Sequence, residues 1–135
     1  MNRAAEMLAP HPRPTQVDVE TLGDCIDECF DCAQTCAACS DACLGEANVA
    51  ELVGCIRTHE GSRSPCLATG EMLSRQTEAR CSVLRRQVEV CRDACRACAT
   101  ECEKHAGHME HCRVCAEACR ACEQACEALL GAVPA

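Results

Sequence analysis

The chain has no Trp or Tyr, and Phe30 is its only Phe. The rings that usually fill a core are therefore missing, and smaller side chains must pack the interior. No apolar run reaches the roughly 18 residues of a membrane-crossing helix. The opening MNRAAEMLAPHPRPTQ holds three prolines and several charges but no apolar stretch of secretory-signal length. A cytoplasmic chain without membrane contact is the expectation. Basic residues are also scarce: 13 Lys and Arg face 21 Asp and Glu, for a formal net charge of -8. Phosphate-backbone affinity comes from Lys and Arg, so nucleic acid is excluded as the main partner. At 135 residues there is room for one domain but not for separate cofactor and substrate lobes.

What the chain has instead is 18 cysteines. Cytosolic thiols stay mostly reduced, so such density points to metal binding rather than a disulfide scaffold. Cys25, Cys29, Cys32, Cys36, Cys39 and Cys43 alternate steps of four and three, which places every sulfur on one stripe of one helix. A third segment repeats the rhythm with Cys91, Cys95, Cys98 and Cys102, and runs back through Val88 and Leu84 to Cys81. A fourth has Cys112, Cys115, Cys119, Cys122 and Cys126. The second is sparser: Cys55 and Cys66 are separated by His59 and Ser62 at the intervening seam positions. These are heptad seams with Cys where Leu normally stands.

Local signals divide the chain into four helices of about 23 to 29 residues each. Thr15 after Pro14 is a candidate cap for the first, with Asp18 three residues on; Gly45 is placed to end it. Asn48 and Glu51 resemble a capping box for the second, Ser74 or Thr77 opens the third, and Ala106-Gly107 closes it. Gly61, two Ser and Pro65 within the second segment predict a kink, or a break between Glu60 and Ser64 that turns His59 off the seam. Short connections make neighbours antiparallel. The expected fold is all-α, an up-down-up-down antiparallel four-helix bundle over residues 15–135, with residues 1–14 as a short N-terminal extension.

Residues three or four apart on a helix have Cβ atoms about 5 to 6 Å apart, whereas a disulfide wants about 3.8 Å. An ion with bonds of about 2.3 Å instead joins two sulfurs roughly 4 Å apart. Charge selects among ions. Zinc on four buried thiolates leaves two uncompensated negative charges at each site, at a large desolvation cost. Each Cu(I) replaces one thiol proton and leaves the core neutral, and soft thiolate selects Cu(I). If every thiolate bridges two ions, capacity is about one ion per cysteine, on the order of 18 per chain. Burial as small hydrophobes is the ordinary fate of single cysteines, but three seams of them go beyond it.

Three histidines, His105, His108 and His111, cluster at the connection between the third and fourth helices. His105 continues a seam, His108 and Met109 precede Cys112 by four and three, and His111 lies at a flanking position. Imidazole and thioether both bind copper, which makes this end a candidate entry mouth; polar residues at exposed helix ends are the alternative. His11 reads as a leader residue, His59 as a secondary candidate ligand, and Met7 and Met72 as packing.

The segments CIDECFDCAQTCAACSDAC, ECEKHAGHMEHC and CRVCAEACRACEQAC resemble the cytosolic branch of the bacterial copper storage proteins, over roughly residues 20 to 130. The resemblance implies multiple Cu(I) ions held by the 18 cysteines along the axis of a four-helix bundle. It also implies His105, His108 and His111 at the open end, and a homotetramer. In that family pattern Asp and Cys stand where this chain has His59 and Ser62, and Pro65 has no counterpart. The expected function is storage and detoxification of Cu(I), with copper donor or acceptor proteins or small thiols as further partners. No base, nucleophile and oxyanion site are assembled for catalysis. The alternatives are a zinc or cadmium buffer of metallothionein type and, behind it, a thiol redox or iron-sulfur protein; a redox site needs one exposed low-pKa thiol and a resolving partner rather than a seam.

Overall fold

The computed structural model describes residues 2–133, and among them every regular element is helical. A short α1 (Arg3–Leu8) precedes four long helices: α2 (Val19–Leu44), α3 (Val53–Ser74), α4 (Cys81–Glu103) and α5 (Glu110–Ala132). A 3-10 turn, Val49–Leu52, leads into α3. Their lengths are 26, 22, 23 and 23 residues. α2 packs on α3 and α5, and α4 on the same two, so the four helices form a closed ring. Each turns its cysteine stripe inward.

Several boundaries differ from the sequence reading. Asp18, not Thr15, caps α2: its Oδ1 accepts the Thr21 N–H at 2.9 Å and its Oδ2 the Thr21 hydroxyl at 2.7 Å. Thr15 instead donates to the Val17 carbonyl. Asn48 and Glu51 bond to each other at 3.3 Å, without capping a backbone N–H, and α3 begins only at Val53. Ser74 is the last residue of α3 rather than the first of α4, where its hydroxyl donates to the Gly70 carbonyl. α4 begins at Cys81, and its end at Glu103 falls three residues short of Ala106.

The expected break at Pro65 does not occur, because α3 runs through it. Pro65 withholds one hydrogen bond from the Gly61 carbonyl, but Gly61 is exposed, so water can serve that oxygen. On the opposite face, His59, Ser62, Cys66, Thr69 and Leu73 are all buried in unbroken steps of three and four. Tertiary burial of that stripe on both sides of the proline holds the helix together and keeps His59 on the seam.

One end of the ring is closed by apolar side chains: Leu22, Leu73, Val88 and Leu129 are at most 3% exposed. α1 lies along α2 near this end. Asn2 caps α1 through the Ala5 N–H and reaches across to the Gly23 carbonyl. The crossing is close enough that a Cβ at Gly23 would sit 2.8 Å from the Ala5 Cβ, so only glycine admits this approach. Met7, expected to pack, is 69% exposed.

Candidate metal centre

All cysteines except Cys81 are buried, and all are free thiols. Their sulfurs form a ladder along the interior. At the apolar end Cys25 of α2 meets Cys126 of α5 at 4.0 Å. One step on, Cys29 lies 3.8 Å from Cys91 and 3.9 Å from Cys122. Cys66 of α3 bridges two rungs, at 3.7 Å from Cys91 and 3.4 Å from Cys95. Cys32 follows, 3.7 Å from Cys119 and 3.9 Å from Cys95. Cys36 lies 3.9 Å from Cys115 and 4.0 Å from Cys98. Near the far end Cys55 is 3.9 Å from Cys102.

These separations are about twice a disulfide bond of about 2.05 Å. They fall within the roughly 4.6 Å that two metal-thiolate bonds of about 2.3 Å can span. Groups of four with mutually close ligand atoms recur along the ladder: Cys29, Cys91, Cys122 and Cys126; Cys32, Cys66, Cys95 and Cys122; Cys36, Cys98, Cys115 and Cys119. Cys122 serves two of these groups, and Cys98 and Cys115 recur in a further set with His59 and Cys102, the sharing that bridging thiolates require.

Proton positions follow the sulfur contacts. Sharing the Cys122 S–H with Cys126, Cys29 and Cys32 pushes that thiol far up, and burial adds to it. Cys32 moves the opposite way, drawn down by its sulfur contacts with Cys119 and Cys122. Burial pushes the Cys43 thiol up to about 12. The thiols that burial and donation raise keep their protons at neutral pH, and an entering cation must displace them.

The end opposite the apolar plug is polar. His59 is fully buried, with Nε2 3.1 Å from the Cys102 sulfur and 3.5 Å from Cys55; its Nδ1 has no partner. Burial opposes the imidazolium, yet the Cys39 and Cys55 sulfurs outweigh it and carry His59 up to about 10. His59 forms a close set with Cys98, Cys102 and Cys115. His111 is only partly buried and forms another with Cys39, Cys43 and Cys112. Its Nδ1 is 3.3 Å from Cys39 and 3.6 Å from Cys112, although its sequence position is a flanking one. Met109 is buried, with its thioether 4.0 Å from the Cys112 sulfur.

His105 is half-buried, 3.9 Å from the Glu101 carboxylate, and His108 is exposed, edge-on to His105 with ring centroids 6.0 Å apart. Cys81 stands away from the ladder. It lines a small cavity with Leu22, Leu73, Val88 and Leu129, and its thiol donates to the Gln16 side-chain oxygen. Two residues that are neither Cys nor a predicted ligand also face the site. Ser62 puts its hydroxyl among the sulfurs of Cys32, Cys66 and Cys95, and Glu46 holds the outer nitrogen of His111 at 3.2 Å. Seam counting reaches Ser62; no local pattern marks Glu46.

Comparison with known proteins agrees with this interior. The sequence profile of the family described as Csp, copper storage protein, matches residues 18–131. The copper storage protein Ccsp of Streptomyces lividans, in a structure loaded with 10 copper equivalents, is 48% identical. The match covers 96% of this chain and 99% of that one, with a TM-score of 0.94. A cytosolic copper storage protein from Streptomyces lividans holding five coppers is 51% identical over 85% of this chain and 96% of its own, with a TM-score of 0.84. The uncharacterized cysteine-rich protein YhjQ of Bacillus subtilis (strain 168) is 34% identical over 89 residues, covering 66% of this chain and 77% of that protein. With the family's profile matching residues 18–131 and the likeness to Ccsp running over 96% of the chain, the protein with this inward ladder of free thiols belongs to the copper storage protein family.

Proposed function

We propose that this protein stores and detoxifies Cu(I) in the cytosol, with the ions held by the cysteine ladder and admitted at the histidine end. The observation that carries the reading is the interior itself: buried free thiols from all four long helices, spaced 3.4 to 4.0 Å. Soft thiolate favours Cu(I), and the exchange of one proton for one monovalent ion keeps the interior neutral where divalent ions would leave it charged. The copper-loaded relatives, one of them described as cytosolic, support the same cargo and compartment. No helix among the described residues is long and apolar enough to cross a membrane.

The bundle runs up-down-up-down. The register supports this: Cys25, Cys29 and Cys36 of α2 meet Cys126, Cys122 and Cys115 of α5 in reverse order. The metal ligands are the ladder cysteines, with His59 and His111 joining the upper sets. His105, His108 and Met109 form the entrance. Cys81 contributes least, since its nearest polar contact is Gln16. The protein is not an enzyme. Residues 15–135 are the binding domain and residues 1–14 an appended segment. Homotetramer assembly follows from the family resemblance, and the partly exposed Phe30, Leu67 and Val90 supply apolar area for it. Copper donors and acceptors, proteins or small thiols, exchange ions at the polar end.

Anaerobic titration of the reduced protein with Cu(I), followed by elemental analysis, tests the reading. A plateau near one ion per cysteine is expected. Tight zinc uptake with weak copper uptake in the same competition assay would overturn it in favour of a divalent-metal buffer.

A further inference from the structure

The turn after α2 carries Glu46, whose backbone N–H is anchored to the Cys43 carbonyl at 3.2 Å. Its Oε1 lies 3.2 Å from Nε2 of His111, which projects from the first turn of α5. The other ring nitrogen, Nδ1, faces the sulfurs of Cys39 and Cys112. A neutral imidazole has one N–H and one lone pair, and a carboxylate only accepts hydrogen bonds. The N–H therefore belongs on Nε2, and the lone pair on Nδ1 points at the sulfurs.

No other imidazole at this end is held the same way among the described residues. Glu101 is 3.9 Å from His105, too far for a good hydrogen bond, and His108 is exposed. Carboxylates on the outer nitrogen of a ligating histidine set its tautomer, orient the ring and raise its basicity as a ligand.

We infer that Glu46 is a positioning residue for the mouth: it fixes His111 in the Nε2–H tautomer so that Nδ1, Cys39 and Cys112 form a ready-made first landing site for an arriving soft cation. This inference rests on the Cu(I) reading and gives one residue of the α2 turn a defined part in it. Glu46 touches no cargo itself. It also joins the α2 turn to α5, so the site is assembled from two helices at one end of the bundle before any ion arrives.

The test compares the wild-type protein with Glu46→Ala and Glu46→Gln. Nitrogen-15 NMR of His111, recorded above the pH at which the ring titrates, should show Nε2 protonated and Nδ1 bare in the wild type. Glu46→Ala should give a mixture of tautomers, while Glu46→Gln, whose side-chain oxygen still accepts, should restore the wild-type pattern. Uptake of the first Cu(I) equivalent from a coloured cuprous chelate should slow about tenfold in Glu46→Ala and return to within about twofold in Glu46→Gln. Helical circular dichroism confirms that each variant is folded. An unchanged nitrogen pattern in Glu46→Ala overturns the inference, as does a shifted pattern with unchanged first uptake, or Glu46→Gln behaving like Glu46→Ala. A wild-type protein that takes up no Cu(I) sinks the storage reading instead, and the NMR comparison still decides the tautomer.

Discussion

Ser62 interrupts the sulfur ladder on α3 and offers the sharpest test of how capacity is set. Its Oγ lies 3.7 Å from the Cys95 sulfur and 3.9 Å from those of Cys32 and Cys66. Replacing it with Cys puts a thiol at the centre of this trio. The longer carbon-sulfur bond brings the new sulfur slightly nearer its neighbours, toward the 3.4 Å already seen between Cys66 and Cys95. The site thus accepts sulfur without rearrangement, and the cost should fall near the low end of the about 1 to 3 kcal/mol typical of overpacking. One more thiolate exchanges one more proton for a monovalent ion, so the plateau should rise by about one Cu(I) per chain. Parallel anaerobic titrations of wild type and Ser62→Cys, with copper and protein measured on the same samples, read this difference. A plateau that stays put or falls in a folded, fully reduced Ser62→Cys protein would refute the idea that the number of sulfurs facing the axis determines capacity.

Three further outcomes follow from the packing. Pro65→Ala returns an N–H to the Gly61 carbonyl and relieves the ring clash, so thermal unfolding of the metal-free protein should shift upward, by up to about 3 kcal/mol in stability. Leu129→Ala removes a plug residue that is 1% exposed and should destabilise the metal-free protein by about 2 to 5 kcal/mol, read by chemical denaturation, with the copper plateau unaltered. Burial alone would raise the Glu123 carboxyl, but its bonds to Arg96 at 2.6 Å and Arg120 at 2.9 Å outweigh that and hold it below the usual 4.5. Its stabilising contribution is therefore complete above pH 4.5 and lost as pH falls through the lower folded-state value. Acid unfolding curves of Glu123→Gln should be flatter than wild type in that window and lie below it at neutral pH.

The cysteine ladder is legible in the sequence because helix periodicity is local. Alternating steps of three and four put Cys25 through Cys43 on one stripe regardless of what faces them, and the stripe is buried as that spacing requires. The end of α2 at Gly45 and the gathering of histidines near Met109 are local in the same sense. Helix starts are less legible. Asp18, Thr15, Asn48 and Ser74 all have the chemistry of caps, and the choice among them depends on where the chain must turn to reach the next helix.

Local periodicity thus sets which face of each helix points inward and what chemical character that face has. How those faces meet is a matter of long-range packing. Pro65 argues locally for a break, yet burial of His59 and Ser62 on one side and Cys66 and Thr69 on the other carries α3 through it. Cys81 keeps the seam's rhythm, but the ring closes around Leu22, Leu73 and Leu129 at that level, leaving its thiol to Gln16. Glu46 and His111 are separated by 65 positions and become partners only when α2 and α5 lie side by side. Periodicity acts over a few residues, whereas these three results depend on which distant side chains share a level of the bundle, and that is settled by packing.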